Sequence, residues 1–451
     1  MNNQIFREYD IRGDVERDLT DDVVRNIGSA FGTYMKRLGK SNVSVCRDCR
    51  LSSGHYRDLL IESMTASGLH VTDIGLAPTP LFYYSLFTLD VEGGIMITGS
   101  HNPPTMNGFK IAVDKSTLYG EQIQAIRSII ESGDFTAGQG KADEYRNIIQ
   151  DYHGYLRSNI HLKKKFKVVI DAGNGTGGIV AAPIMREFGQ DITELYCEMD
   201  GHFPNHFPDP TVEKNLVALR ETILTEKADV GIGYDGDADR IGVVDEKGGI
   251  IWGDYLMLIF ARQILKEHGK GIFISEVKCS RNLFEDIRAK GGDAIMWKAG
   301  HSLIKQKMKE THALMGGEMS GHIFFADRFF GFDDAIYASL RFLEIMEQDG
   351  RPVSDFLADV PKSYFTPELR IDCPDDVKMK VVEELTELYR AQYPIIDIDG
   401  VRATIDGGWG LVRSSNTQPI LVLRFEADTQ QNLDRIQARV MEDLENIMKK
   451  Y

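Results

Sequence analysis

Cysteine is sparse in this sequence and basic charge is in deficit. Five cysteines, an odd number spread over 451 residues, do not make the even framework of a disulfide-stapled fold, and a reducing compartment is expected. Cys46 and Cys49 form one Cys-x-x-Cys. No second pair or histidine cluster accompanies them, so they read as unpaired thiols at a strand end rather than a metal or redox site. No stretch has the unbroken apolar length of a membrane span, and Met1-Asn2-Asn3-Gln4-Ile5-Phe6-Arg7 lacks an apolar core behind a basic start. A cytoplasmic protein with no membrane partner is expected. Lys and Arg number 52 against 68 Asp and Glu, a net charge of -16, which disfavours non-specific binding to nucleic acid or an anionic membrane. An anionic substrate would need a locally positive pocket. Low-complexity tracts and short-period repeats are also missing.

What is present is an ordinary globular composition, 42% hydrophobic and 27% charged, in a chain long enough for about three or four domains. Short β-branched runs at residues 43–46, 95–98, 168–170, 230–232 and 272–275 alternate with helical apolar spacing at 21–38 and 56–67. Thr20, before Asp21 and Asp22, suits a helix start. The weakly apolar stretch 132–140 suggests a surface excursion before a helix near 145–160. Asp245-Glu246-Lys247-Gly248-Gly249 precedes a further strand-helix series, and the character changes again after Pro361, where the pattern reads strand, helix, Gly-rich turn, strand and final helix. The expected architecture is α/β: three similar mixed-sheet domains (1–145, 146–250 and 251–362) and a smaller C-terminal α+β domain (363–451).

Five segments carry candidate chemistry. Thr98-Gly99-Ser100-His101-Asn102-Pro103-Pro104 follows an apolar run; it reads either as a polar turn or as a stiff loop whose serine carries a phosphate amid backbone amides. Asp235-Gly236-Asp237-Ala238-Asp239-Arg240 sets three carboxylates at alternate positions between apolar runs. They can converge on one hard cation, with Mg²⁺ the natural occupant, and Arg240 would set a phosphate-binding cation beside it. The spacing to Glu246 resembles an EF-hand, but the sixth position is Arg240 rather than Gly and the flanks read as strands.

Gly173-Asn174-Gly175-Thr176-Gly177-Gly178 matches a dinucleotide-binding pattern only formally, since a tight strand-to-helix turn needs the same glycines. Gly316-Gly317-Glu318-Met319-Ser320-Gly321-His322 places Glu318 and Ser320 two apart, able to face one side and bond sugar hydroxyls. In Arg413-Ser414-Ser415-Asn416-Thr417-Gln418-Pro419, Arg413 can grip a phosphate while Ser415, Asn416 and Thr417 supply further donors. The same loop could merely turn the chain.

Taken in order from Phe6-Arg7-Glu8-Tyr9-Asp10-Ile11-Arg12-Gly13 to Arg413, these segments resemble the α-D-phosphohexomutase family, and within it the bacterial phosphomannomutase/phosphoglucomutase branch. Asn205-His206-Phe207-Pro208-Asp209-Pro210 and Lys298-Ala299-Gly300-His301-Ser302 fit the same pattern. The resemblance implies three α/β domains and a mobile fourth around a central cleft. It implies that Ser100 carries the phosphoryl group and that Asp235, Asp237 and Asp239, with an oxygen on Ser100, hold one Mg²⁺ per chain. Arg12, His101, Lys110 and His322 would take acid/base or electrostatic roles. Tyr9, Arg240, Lys278, His301, Glu318, Ser320, Arg413, Ser415, Asn416 and Thr417 would contact substrate.

A hexose 1,6-bisphosphate would be intermediate and activator, phosphosugars the only expected partners, and the chain a monomer or homodimer. Met319 resembles the mannose/glucose branch, with a glucosamine mutase as the alternative. A phosphohydrolase using the same serine and metal, or a non-catalytic sugar-phosphate binder, are the rivals from other classes.

Overall fold

The computed structural model describes residues 1–415 and 418–451. Its chain forms four β-sheets, each the centre of one unit. The first sheet runs Ile11–Asp14, Met106–Val113, Gly93–Ile97, Asn42–Arg47, His70–Leu76, Lys141–Glu144, with Ser116–Thr117 beside Met106–Val113. The second runs Ile250–Ile251, Ile241–Asp245, Val230–Tyr234, Lys167–Asp171, Asp191–Leu195, and the third Asp293–Trp297, Ile272–Glu276, Met315–Gly317, Ile323–Phe325.

These three sheets share one plan. A parallel set of strands, joined through helices, ends in an antiparallel hairpin: Gly93–Ile97 with Met106–Val113, Val230–Tyr234 with Ile241–Asp245, and Met315–Gly317 with Ile323–Phe325. The inner strands are apolar on both faces because helices cover both sides, which is why they read as short unbroken runs. The hairpin connections carry Ser100, Asp235 to Arg240, and Glu318 to His322 respectively. One position in a thrice-used plan therefore supplies three of the candidate segments.

The fourth sheet is antiparallel throughout: Tyr364–Phe365, Ile420–Ala427, Gly408–Ser414, Val401–Ile405, Ile395–Ile396, with Leu369–Asp372 also against Ile420–Ala427. Helices Lys378–Arg390 and Gln430–Met448 close its core. Arg413 is the penultimate residue of strand Gly408–Ser414.

The first three units are not packed independently. One hydrophobic core runs from Phe82 and Met96 through Ile170 and Tyr234 to Phe260 and Phe325, reinforced where Phe329 stacks on Tyr337 at 4.0 Å. The fourth unit keeps its own core, including Leu385, Phe425 and Val440. It meets the third through a small apolar cluster of Val277, Trp409 and Leu411 and through polar groups: Arg402 donates to the carbonyls of Val277 and Cys279 (2.6 and 2.8 Å) while stacking on Trp409, and Ser280 donates to Glu426 (2.9 Å).

Several local expectations change. Thr20 takes the cap position of helix Asp21–Arg37, but its side chain makes no capping bond; Asp21 and Asp22 in the first turn answer the helix dipole instead. The excursion at 132–140 leads into Lys141–Glu144, a strand parallel to His70–Leu76, before helix Ile148–Asn159. The expected Gly-rich turn at 407–410 is confined to its start. Gly408, Trp409 and Gly410 are strand residues, and a Cβ on Gly408 would lie 2.2 Å from the Glu426 carbonyl, so glycine serves close strand approach there.

Asp334 caps helix Ala335–Asp349 by accepting the Tyr337 amide (2.8 Å), and its other oxygen accepts from the Tyr152 hydroxyl (2.6 Å). Burial pushes its carboxyl up to about 7. A carboxyl raised on folding holds its proton longer in the folded than in the unfolded chain, so its contribution is lost as pH climbs from about 4 through 7. Asp334→Asn keeps a capping oxygen and is expected to flatten this decline. In thermal unfolding at pH 5 and pH 8, the wild-type midpoint should fall further between the two than the variant's, a difference on the order of a few kcal/mol; equal declines would contradict the assignment.

Candidate active site

Ser100 sits in the left-handed region, φ 49°, at the tip of the first hairpin and is 3% exposed. Such a conformation costs a non-glycine residue about 1–3 kcal/mol and persists only where its surroundings enforce it. Arg50 does so. Its guanidinium, fully buried, donates to four carbonyls of this loop: Ser100 (2.7 Å), Asn102 (2.6 Å), Pro103 (2.6 Å) and Met106 (2.9 Å). Asp48 lies 3.2 Å from Arg50 Nε and accepts the Gly99 amide (3.1 Å). A Cβ on Gly99 would stand 2.4 Å from Arg50 Nε, so only glycine lets the loop close on the arginine. The Ser100 hydroxyl, held this way, donates to Asp235 Oδ2 (2.8 Å) and lies 3.1 Å from His101 Nδ1.

The second hairpin brings Asp235, Asp237 and Asp239 together with no exposure at all, each placing one oxygen within 4.8 Å of the others. Asp235 Oδ1 accepts the Asp239 and Arg240 amides (3.0 and 3.1 Å), which folds the loop around itself. Thr79 donates to Asp237 (2.5 Å), and Lys110 donates to Asp239 (2.5 Å) while standing 3.9 Å from Asp237. Behind the loop, the Gly173–Gly178 turn presses so close that a Cβ on Gly175 would meet the Gly236 carbonyl at 2.6 Å. Its glycines brace the carboxylates.

Burial, and then the neighbouring aspartates, push the Asp235 carboxyl well above its ordinary range and raise Asp237. Burial opposes charge on Asp239 too, but Lys110, His322 and Arg240 outweigh it and hold that carboxyl below the usual range. Asp237 Oδ1 and Asp239 Oδ1 are buried with no hydrogen-bond partner. An all-oxygen donor set, orphaned oxygens and crowded negative charge fit a hard divalent cation. Asp239 also belongs to a second group with His322 and Asp333, where an imidazole makes the set less suited to such an ion.

The third hairpin brings His322 to this loop. Arg240 Nε donates to His322 Nε2 (3.0 Å), which leaves the imidazole proton on Nδ1, 3.1 Å from Asp333 Oδ2. Asp333 is itself held by Lys305 (3.0 Å). Burial with surrounding cations keeps His101 and His301 well below the ordinary imidazole value, so both are neutral near pH 7. Glu318 accepts the Gly300 amide (2.8 Å), and Ser320 lies half-buried two residues on. Lys278 stands 3.4 Å from Glu276 and 3.1 Å from Glu368. Burial raises Glu276 to about 7 despite Lys278.

Tyr9 reaches the same wall: its hydroxyl donates to the Ala299 carbonyl (2.8 Å) and its ring lies 5.8 Å from that of His301. Arg12 pairs with Asp10 (2.6 Å), leaving its Nε buried without a bond. Arg413 donates to Asp399 (2.9 Å), and Asp399 accepts the Ala299 amide (2.9 Å), which ties the fourth unit to the third beside Glu318. Ser415 is buried at the head of the same loop. The expected contacts Asn416 and Thr417 lie outside the described residues.

The candidate side chains thus form a connected line from Ser100 through the carboxylate loop, Arg240, His322 and Glu318 to Arg413. Sequence reasoning missed Arg50, Asp48, Thr79, Asp333 and Asp399. Only Arg50 and Asp48 left a trace, an acid-base pair directly after an apolar strand.

Models of four successive domains described as phosphoglucomutase/phosphomannomutase match this sequence: α/β/α domain I at residues 3–137, domain II at 144–249, domain III at 252–364 and the C-terminal domain at 368–443. The chain belongs to the phosphoglucomutase/phosphomannomutase family. Among relatives, a phosphomannomutase/phosphoglucomutase of Pseudomonas aeruginosa is 46% identical over 433 residues, 96% of this chain and 93% of that one. A phosphoglucomutase of Neisseria meningitidis is 44% identical over 438 residues, 96% and 95% of the two chains. A probable phosphoglucosamine mutase of Pyrococcus horikoshii is more distant, 34% identical over 451 residues, 98% and 97% of the two chains. The crystal structure of a phosphoglucomutase/phosphomannomutase family protein from Burkholderia thailandensis superposes with a TM-score of 0.93 at 38% identity, covering 99% of this chain and 98% of that one.

Arg50 gives the sharpest test of how this family member shapes its serine loop. Lysine has no planar fork to serve four carbonyls at once. Arg50→Lys is expected to keep the far-ultraviolet circular dichroism of the wild type and to lower mutase turnover on the order of 10²-fold, the cost of a small misplacement of reacting groups. Wild-type turnover in the variant would show that the loop holds its shape without this residue.

Proposed function

We propose that this protein interconverts the 1- and 6-phosphates of mannose and glucose through a phosphorylated Ser100. The observation that carries the reading is the Ser100 hydroxyl bonded to Asp235 within a buried carboxylate triad, flanked by Lys110 and Arg240. In this reading Asp235, Asp237 and Asp239, with the Ser100 oxygen, hold one Mg²⁺. When bound, that ion would offset the negative charge that builds on the transferring phosphoryl oxygens.

The remaining work belongs to the chain. A hydroxyl of the bound sugar phosphate attacks phosphoserine, so a new oxygen–phosphorus bond forms as the bond to Ser100 Oγ breaks. Lys110 and Arg240 face the transferring group as cations. His322 is the candidate base: once Arg240 turns from its Nε2 to the transferring phosphoryl oxygens, that lone pair is open to the proton lost by the sugar hydroxyl, while Nδ1 stays beside Asp333. His101, 3.1 Å from Ser100 Oγ, takes up that proton in turn and returns it to the departing serine oxygen. Arg12 adds positive charge on the same side.

Glu318 and Ser320 read the sugar hydroxyls, with Lys278, His301 and Tyr9 completing that wall. Arg413 and Ser415, with Asn416 and Thr417, grip the phosphate that is not reacting. The product is a hexose 1,6-bisphosphate, which also serves as activator because it can phosphorylate Ser100. A half-turn of this intermediate exchanges its two phosphates between Ser100 and the Arg413 loop, so one centre performs both half-reactions. Closing the fourth unit, bounded at 363–451 after units at 1–145, 146–250 and 251–362, excludes the water that would hydrolyse phosphoserine. Phosphosugars are the partners this reading needs.

No helix among the described residues is long and apolar enough to cross a membrane, in keeping with small soluble substrates. Relatives named phosphomannomutase/phosphoglucomutase and phosphoglucomutase at 46% and 44% identity, with Met319 beside Glu318, favour mannose and glucose over amino sugars.

Phosphorus NMR of mannose 1-phosphate with the protein, Mg²⁺ and a trace of glucose 1,6-bisphosphate tests this directly. Mannose 6-phosphate should appear without inorganic phosphate, and Ser100→Ala should lower the rate on the order of 10⁴-fold or more while sugar-phosphate binding persists. Accumulating inorganic phosphate would make the protein a hydrolase, and an unchanged spectrum would point to an amino-sugar substrate.

A further inference from the structure

Between the first and third units, apart from the carboxylate loop, lies a cavity of about 470 Å³. That is within the roughly 300–1,000 Å³ typical of small-molecule sites. Ser100, the three aspartates, Glu318 and Arg413 are not among its lining residues. Part of its wall is aromatic: Phe330 and Phe332 lie parallel, 4° between their planes and 5.9 Å between centroids, and Phe87 stands 4.9 Å from Phe330. Another part is cationic. Lys115, Lys305 and Lys309 line the cavity, and among the described lining residues only Glu121 is acidic. In a chain of net charge -16, three amines gathered on one small cavity run against the overall composition.

Lys305 is paired with acid, whereas Lys115 and Lys309 form no ion pair among the described residues. Lys115 Nζ lies over the Phe87 ring at 4.9 Å and Lys305 Nζ over the Tyr83 ring at 4.3 Å. Lys305 is engaged by Asp333 (3.0 Å), whereas Lys309 donates to neutral oxygens, Ser116 Oγ (2.6 Å) and the Lys115 carbonyl (3.2 Å). Burial and the nearby Lys305 push the Lys309 amine below its ordinary value; a bound anion would relieve both. The walls are also tied across the two units. The hydroxyls of Thr117 and Ser302 are 2.9 Å apart and Tyr119 donates to Gln306, so the cavity is preformed.

We propose that this cavity is a second ligand site, separate from the mutase centre, for an aromatic phosphate of the nucleoside monophosphate or diphosphate class. The base packs against the half-buried Phe330 ring, and the phosphate is bound by Lys115 and Lys309. A plain sugar phosphate has no π-face to use the aromatic wall, whereas a base stacks on it.

The test is calorimetric titration of the full-length, Mg²⁺-loaded protein with ADP while saturating glucose 1,6-bisphosphate occupies the mutase centre. One ADP should bind per chain. The double variant Lys115→Ala/Lys309→Ala should bind it at least about tenfold more weakly, the loss of one charge-assisted contact or more, with mutase turnover unchanged. Phe330→Ala should weaken ADP but leave pyrophosphate, already the poorer ligand, unaffected. The proposal is overturned by absence of ADP binding at millimolar concentration, by its displacement with the bisphosphate, by wild-type affinity in the lysine variant, or by pyrophosphate binding as tightly as ADP.

Discussion

Three carboxylates held out of water beside one serine are the constraint around which this molecule is built. Moving charges of one sign into a dry pocket is costly, and the cost is met only by cations or by protonation. Lys110 reaches Asp239 closely and Asp237 at a distance, and Asp235 is left to the serine and to two backbone amides. Such an all-oxygen set fits a hard divalent cation. The surrounding structure keeps it from relaxing: Thr79 fixes Asp237, the Gly173–Gly178 turn fills the space behind the loop, and Arg50 pins the serine opposite. A flexible loop would simply turn these carboxylates to solvent.

The repeated sheet plan explains how such a pocket can be assembled. A hairpin at the end of a parallel sheet gives a short, well-anchored loop at a fixed place, and three copies joined through a common apolar core aim three such loops at each other. The loops that carry Ser100, the three aspartates and Glu318 thereby gain a shared rigid frame. Arg413, the proposed phosphate grip, sits on a fourth unit with its own core, joined to the third by a small apolar cluster and polar contacts. A seam much smaller than the shared core of the other three can open at lower cost. That division suits a reaction in which an intermediate must turn within the cleft yet be shielded from hydrolysis.

The candidate chemistry was largely legible in the sequence because hairpin loops concentrate it: glycine, serine and aspartate between apolar strands stand out, as at 98–104 and 235–240. The strands of the parallel sheets, such as Lys167–Asp171 and Val230–Tyr234, were legible for the same reason. What was not legible acts across long sequence separations. Arg50 serves carbonyls some fifty residues away, Thr79 meets Asp237, and Asp399 joins Ala299 to Arg413. Short pairing strands such as Lys141–Glu144 and Gly408–Trp409–Gly410 carry no alternating pattern and were read as excursion and turn.

The central claim is that Ser100, alone among the hydroxyls, carries the phosphoryl group. Incubating the protein with Mg²⁺ and glucose 1,6-bisphosphate, quenching in acid and mapping phosphopeptides by mass spectrometry addresses it most directly. The account predicts one phosphate per chain, on the peptide bearing Ser100, which is discharged when excess hexose phosphate is added. Phosphate on any other residue, or a Ser100 peptide that stays unmodified through turnover, would contradict it.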